Sequence, residues 1–246
     1  MKALFVGDIH NHSYIFQDIE KLDNEYHFDR VIFMGDYVDD WNTDNHQSLE
    51  TLDRVFTLKT IDPEKYTFLI GNHELSYLGY KCSGHMTELE DVVEMKLNEH
   101  IDDLDFYTII QCGDTEYVCT HAGITNGFAL ESLGGRNWKQ FLGNMNQFKK
   151  MNLYPLSKCS YLRGGNDEFS SFLWCDRREH SYFSLEEPIV PYQIVGHTPV
   201  KTIVKGGNIF FIDTHSTYRD GSEYGDKSYL VWDDNEFKIV YGNKKE

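Results

Sequence analysis

Lys2-Ala3-Leu4-Phe5-Val6-Gly7-Asp8-Ile9-His10 opens as an apolar run, stops at a glycine and turns polar at once. The same figure recurs in Val31-Ile32-Phe33-Met34-Gly35-Asp36 and again in Thr67-Phe68-Leu69-Ile70-Gly71-Asn72. Short apolar runs bounded in this way predict strands at 3–6, 31–34 and 67–70, buried on both faces, with functional groups at their carboxyl ends. Between the first two, Ile15, Phe16, Ile19 and Leu22 stand at helical spacing, which predicts a helix over 13–24 with Ser13 as N-cap. Leu49, Leu52, Val55 and Phe56 predict a second helix before Pro63, and Leu89, Val92, Val93 and Leu97 a third. Alternation of strand and helix implies right-handed crossovers and a largely parallel arrangement.

Further along, 106–111 and 116–120 read as an antiparallel hairpin around Cys112-Gly113-Asp114-Thr115. Short strands are expected at 192–195, 200–205, 209–212, 228–232 and 237–241, with Gly206-Gly207 as a hairpin turn. The expected fold is α/β, with two mixed β-sheets packed face to face as a sandwich and flanked by helices. The stretch from about 126 to 191 is the least regular, broken by Gly134-Gly135 and Gly164-Gly165. With no repeat or linker visible, residues 1–246 read as one domain carrying an irregular insertion at about 126–191.

Forty per cent hydrophobic residues suit a globular chain of 246 residues. The net charge is −17 and there is no long basic run. Binding to duplex nucleic acid or to a membrane surface works through Lys and Arg, so neither is expected as a partner. A phosphate-bearing substrate also needs a local positive centre to overcome this charge. The five cysteines, Cys82, Cys112, Cys119, Cys159 and Cys175, contain no C-x-x-C pair. They suit free thiols in a reducing compartment, and with no signal-peptide pattern a cytoplasmic location is expected.

Five motifs follow predicted strands: Gly7-Asp8-Ile9-His10, Gly35-Asp36-Tyr37-Val38-Asp39, Gly71-Asn72-His73-Glu74, Thr120-His121-Ala122-Gly123 and Gly196-His197-Thr198-Pro199. Asp8 and His10 are two apart at a strand end, so both project from one side and can bind one cation. Asp36 has two oxygens and can bridge two cations. Asn72 offers an amide oxygen, and His121 and His197 offer imidazole nitrogens. Each motif alone reads as turn chemistry or a structural histidine; together they make a ligand set for two divalent metals. Nitrogen and oxygen donors without thiolate suit Mn, Fe, Zn or Ni, and the donor types alone do not choose between them; Mn is the expected ion. His27, His46, His85, His100 and His180 lack such context and read as solvated. His12 shares strand parity with His10 and is a candidate substrate contact.

These motifs, most of all Gly-Asp-Tyr-Val-Asp at 35–39 and Gly-Asn-His-Glu at 71–74, resemble the calcineurin-like metallophosphoesterases. The branch they resemble is that of the phosphoprotein phosphatases, including its bacterial and phage members. The resemblance runs from about residue 1 to 213 and includes Leu173-Trp174-Cys175-Asp176 and the lone histidine of Gly-His-Thr-Pro at 196–199. It implies a four-layer fold, one metal on Asp8, His10 and Asp36, and a second on Asp36, Asn72, His121 and His197. It further implies attack by a metal-bridging hydroxide, with His73 as proton donor to the leaving oxygen and Asp39 orienting it.

Two positions depart from the family. Asp40 and Ile70 stand where the family carries phosphate-clamping arginines. Arg163, Arg177, Arg178 and Arg219 are candidates to supply a clamp, and Asp40 and His215 are further candidate substrate contacts. The resemblance implies a phosphoesterase acting on a phosphomonoester, borne by a small molecule or a phosphoprotein. The lost arginines admit a nucleotide or dinucleoside-polyphosphate hydrolase or phosphodiesterase, and a silent metal-binding interaction module is the remaining alternative.

Overall fold

The structure, a computed structural model, describes residues 1–41, 45–79, 89–133, 139, 142–143, 145, 154–182 and 189–242. The expected breakers Gly134 and Gly135, along with Cys82 and His85, lie outside the described residues.

Strands β1 (Lys2–Val6), β2 (Arg30–Phe33) and β3 (Tyr66–Leu69) lie parallel, β1 ending directly before Gly7 and the other two each leaving one residue before Gly35 and Gly71. Helices α1 (Tyr14–Tyr26) and α2 (Asn45–Ile61) make the crossovers. After α3 (Asn72–Tyr77) and α4 (Glu90–Glu99), the short β4 (Leu104–Asp105) extends the row, again in parallel. β5 (Thr108–Cys112) and β6 (Thr115–Thr120) form the expected hairpin. There follow α5 (Asn126–Leu133), α6 (Arg177–Tyr182), β7 (Gln193–Val195), β8 (Val204–Gly206), β9 (Ile209–Phe211), β10 (Ser228–Asp233) and β11 (Glu236–Tyr241). The first sheet runs β11-β10-β1-β2-β3-β4 and the second β5-β6-β7-β9-β8. Both are mixed. β10 is antiparallel to β1, while β7 is parallel to β6 and β9.

The period-2 geometry of a strand explains the layers. Leu4, Val6, Val31 and Phe33 pack with Ile15, Ile19, Leu52 and Val55 of the helices. Their neighbours Ala3, Phe5, Ile32 and Met34 pack instead with Ile110, Cys119, Ile194 and Ile212, on the second sheet or just beyond β9. All eight residues, seven in the strands and Met34 just beyond β2, are fully buried, which is why these runs read as continuous rather than alternating.

Local details differ from expectation. Ser13 makes no side-chain cap, because its own backbone is helical (φ −62°, ψ −22°) and an N-cap needs extended backbone. Val92 is 40% exposed, and the buried face of α4 is Val93 and Leu97. β8 is shorter than expected. Val200 leaves the ladder, its N–H donating to the Asp213 carbonyl, and Gly206 pairs with Ile209, so the turn is Gly207-Asn208. Among the described residues no helix is long and apolar enough to cross a membrane.

Candidate metal centre

Six polar residues follow the carboxyl ends of parallel strands along one edge: Asp8 after β1, Asp36 after β2, Asn72 after β3, His121 after β6, His197 after β7 and Asp213 after β9. The loops that carry them are strained. His10, Asp36, Asp39 and His197 take left-handed φ values of 44°, 51°, 64° and 63°, each costing about 1–3 kcal/mol. Cross-loop hydrogen bonds offset that cost. The N–H groups of Ile9 and His10 both donate to the Asp36 carbonyl, at 3.0 and 2.8 Å. Glu74 is fully buried. One of its oxygens accepts from the N–H groups of Asp36 (2.9 Å) and Gly71 (2.8 Å), and the other from Tyr37 (2.8 Å). The third loop is thereby bolted to the second. Gly71 is obligatory there, since a Cβ would stand 2.1 Å from Asp36 Oδ1.

The donor atoms point inward. His121 donates from Nδ1 to the Met34 carbonyl at 2.7 Å, which leaves the lone pair of Nε2 facing three groups. These are Asn72 Oδ1 at 2.9 Å, His197 Nδ1 at 3.1 Å and Asp36 Oδ2 at 3.3 Å. His10 donates from Nδ1 to the Asp39 carbonyl at 2.7 Å, with Nε2 3.8 Å from Asp8 Oδ2 and 3.9 Å from Asp36 Oδ2. Backbone bonds of this kind fix tautomers for metal binding. Asp8 Oδ2 is buried without a hydrogen-bond partner. Ligand atoms of Asp36, His121 and His197 all lie within 4.8 Å of one another, as do those of His10, Asp36 and His73. Asp36 is common to both groups. Converging acceptors of nitrogen and oxygen, one of them orphaned, fit a pair of divalent cations.

Without a cation, protons take their place. Burial opposes charge on His121, but Asp36 and Asp8 outweigh it and push its pKa up to about 9. Burial, reinforced by the charge of Asp213, raises the Asp8 carboxyl well above its usual range. Asp36 goes the other way: despite burial, His121 and His73 hold it well below the usual carboxylate range.

His73 stands beside this centre, its Nδ1 2.9 Å from Asp39 Oδ2 and its ring edge-on to His10. The other Asp39 oxygen accepts the Tyr77 hydroxyl at 2.7 Å. Burial lowers the His73 pKa, but Asp36 and Asp39 override it and push the value up to about 9.

A cavity of about 290 Å³ opens over His10, Asp36, Asn72, His73 and His197. Of the candidate clamps, Arg163 lines it. Its Nη2 donates to the His197 carbonyl (3.2 Å) and to Thr198 Oγ1 (3.0 Å), and its Nε lies 3.1 Å from Asp176. Arg177, Arg178 and Arg219 do not line it: Arg177 sits over Phe211, Arg178 pairs with Asp176 from outside, and Arg219 lies over Trp41. Asp40 lines it as a strut, one oxygen accepting from Trp41 N and Thr217 Oγ1, each at 2.8 Å. His12 stacks on Tyr14 behind the cavity, 3.7 Å from Asp40, and does not line it. His215 is buried against Tyr229 with Nδ1 3.1 Å from Tyr14 Oη, and burial pushes its pKa down to about 3.

Glu74, Tyr77, Trp174 and Asp213 belong to this region, although sequence reasoning gave none of them a role at the site and named Trp174 only within the stretch Leu173-Trp174-Cys175-Asp176. Glu74 lies inside a quoted motif and was open to being read; nothing in the sequence singles out Tyr77. Of the histidines expected to be solvated, His27 and His46 are exposed. His180 is packed against Cys175 and Phe211, and His100 stacks on Phe56.

The family model for calcineurin-like phosphoesterases matches residues 1–201, and the chain belongs to that family. It is similar to the serine/threonine-protein phosphatase 6 catalytic subunit of Drosophila melanogaster, 32% identical over 123 residues, 48% of this chain and 38% of that one. It is also similar to the serine/threonine-protein phosphatase ppe1 of Schizosaccharomyces pombe, 30% identical over 122 residues with the same two shares. The match thus spans well under half the length of these relatives. Among solved structures it is similar to Yfce, a phosphoesterase from E. coli, at TM-score 0.46 and 13% identity, covering 100% of this chain and 96% of that one.

Proposed function

We propose that the chain is a two-metal phosphoesterase that hydrolyses phosphate monoesters, small or protein-borne. The observation that carries this reading is the meeting of Asn72 Oδ1, His197 Nδ1 and Asp36 Oδ2 within 3.3 Å of His121 Nε2, beside His10 Nε2, which lies 3.8 Å from Asp8 Oδ2 and 3.9 Å from Asp36 Oδ2. Asp8, His10 and Asp36 would hold one divalent cation, and Asp36, Asn72, His121 and His197 the other. When bound, the cations would supply an acidified water and a positive charge for the phosphoryl oxygens.

The chain's own residues do the rest. His73, held by Asp39, gives a proton to the leaving oxygen, a role its raised pKa supports. Arg163 presents a guanidinium to the cavity and takes the place of the clamps lost at Asp40 and Ile70. Residues 1–246 act as one metallophosphoesterase domain, and the insertion at about 126–191 brings Arg163 and Trp174 to the site.

Chelation should abolish hydrolysis of p-nitrophenyl phosphate, and Mn should restore it, with less activity on the bis ester. Full turnover after elemental analysis has shown both metals gone would sink the reading.

A further inference from the structure

Packing of the core does not account for Trp41. It is 47% exposed, yet it lines the same cavity as His73 and the inward-facing donor atoms. A large aromatic surface at the mouth of a polar cavity is open to a ligand seated in that cavity. The residue is also held in place. Its backbone N–H donates to Asp40 Oδ1 at 2.8 Å, and the same oxygen takes the Thr217 hydroxyl at 2.8 Å. The Arg219 guanidinium carbon lies 4.9 Å from the ring centroid, within cation–π range. Asp40, at the place of a clamping arginine in the resembled family, therefore serves here to fix an aromatic shelf beside the phosphate cavity.

We propose that the leaving group is a nucleoside whose base stacks on Trp41, so that the substrates are nucleotides; this rests on the phosphoesterase reading above. The cavity, about 290 Å³, is at the small end of ligand pockets, which run roughly 300–1,000 Å³. It takes the phosphate and part of the leaving group, and the remainder lies over the indole at the rim. Every base presents a π-face that an aromatic side chain can stack on. An extended phosphopeptide would be recognised through main-chain hydrogen bonds along a strand edge or through a row of side-chain pockets. Among the described residues the exposed aromatic surface at the rim is the Trp41 ring, beside the side chains of Asp40 and Thr217, with Trp174 buried deeper in the lining. In the reaction the bond from phosphorus to the nucleoside oxygen breaks and one to a water oxygen forms. The leaving oxygen takes the His73 proton and the water gives one up, so phosphate and nucleoside are the only products.

The test compares AMP with glycerol 2-phosphate on the full chain, with calorimetric binding of adenosine 5′-(α,β-methylene)diphosphate as a second readout. Trp41→Ala should lower the AMP-to-glycerol-phosphate ratio of kcat/KM by about 5- to 150-fold, the scale of one base–aromatic stack. Trp41→Phe should recover most of it and also guards against a folding defect. An unchanged ratio in Trp41→Ala, or a wild-type preference for glycerol 2-phosphate, would overturn the proposal. Failure to hydrolyse any ester would remove the phosphoesterase reading alone, and calorimetry would then decide: weaker analogue binding by Trp41→Ala supports stacking, and equal binding overturns it.

Discussion

His73 lies 2.9 Å from one oxygen of Asp39, and the Tyr77 hydroxyl takes the other at 2.7 Å. An imidazole oriented through two linked bonds is suited to deliver a proton along one direction. His73→Ala should keep both metals and lose about 10²–10⁴-fold in turnover, less when the leaving group is p-nitrophenol, which scarcely needs a proton. Tyr77→Phe removes one donor from a buried carboxylate, a loss of about 1.5–3 kcal/mol for a hydrogen bond to a charged group, and should show the same dependence on leaving group with a smaller loss. Rates across a series of leaving groups check both; equal losses throughout would exclude His73 as the donor. The neighbouring His121 bears on metal uptake. In the metal-free protein its pKa is raised to about 9, so at neutral pH a proton occupies the nitrogen that a cation needs. Metal binding must displace it, and Mn affinity should therefore rise with pH, about tenfold per unit for each proton displaced, and level off above about 9. Calorimetric Mn titrations from pH 6 to 9 would read this, and a flat profile would contradict it.

Each of these residues is only as well placed as the loop beneath it, and the loops are placed by strands β1, β2, β3, β6 and β7. Gly71 is the tightest joint between two of them. A methyl group at that position would meet Asp36 Oδ1 at 2.1 Å, backed by the Asp36 N–H at 2.4 Å. Gly71→Ala should therefore push Asp36 out of both metal groups, leaving the chain folded and unable to retain metal. Circular dichroism with elemental analysis checks this, and normal metal content would show that the loop can yield. Why the ligands were legible follows from the same arrangement. An apolar run ending at a glycine announces where a buried strand stops, and Asp8, Asp36 and Asn72 come directly after such ends. What was not legible depends on distant contacts. That β10 joins the edge of β1 rather than the second sheet is set by a pairing such as Lys2 with Asp233, which no local pattern encodes. Arg163, Arg177, Arg178 and Arg219 are alike as sequence; only the fold of 154–182 turns Arg163 toward the cavity. The cap expected at Ser13 failed because one backbone angle there belongs to the helix already.

At the scale of the whole molecule, the centre is a seam. Asp8, His10, Asp36 and Asn72 follow strands of the six-stranded sheet, whereas His121 and His197 follow strands of the five-stranded one. Between the sheets lies an apolar layer that includes Phe5, Met34, Ile110 and Ile194, which holds them together along their length. At the carboxyl edge that layer gives way to buried acceptors facing one another, which repel unless protons or cations lie between them. Cations held there would clasp the two sheets, and because the unfolded chain has no such site, their binding free energy adds to stability. At a metal concentration 100 times Kd, one site adds about 2.7 kcal/mol, so two add roughly 5 kcal/mol. For a chain of this size each kcal/mol moves Tm by about 2–4 °C, which gives a shift of roughly 10–20 °C on chelation, reversed by excess Mn. His121→Ala removes a ligand of the second group only, so the difference in Tm between its Mn-loaded and chelated forms should fall to about half. Scanning calorimetry on both proteins, with and without chelator, measures the two differences. A wild-type Tm indifferent to chelator would mean that no metal joins the sheets, and an undiminished shift in His121→Ala would mean that His121 is not among the groups that hold it.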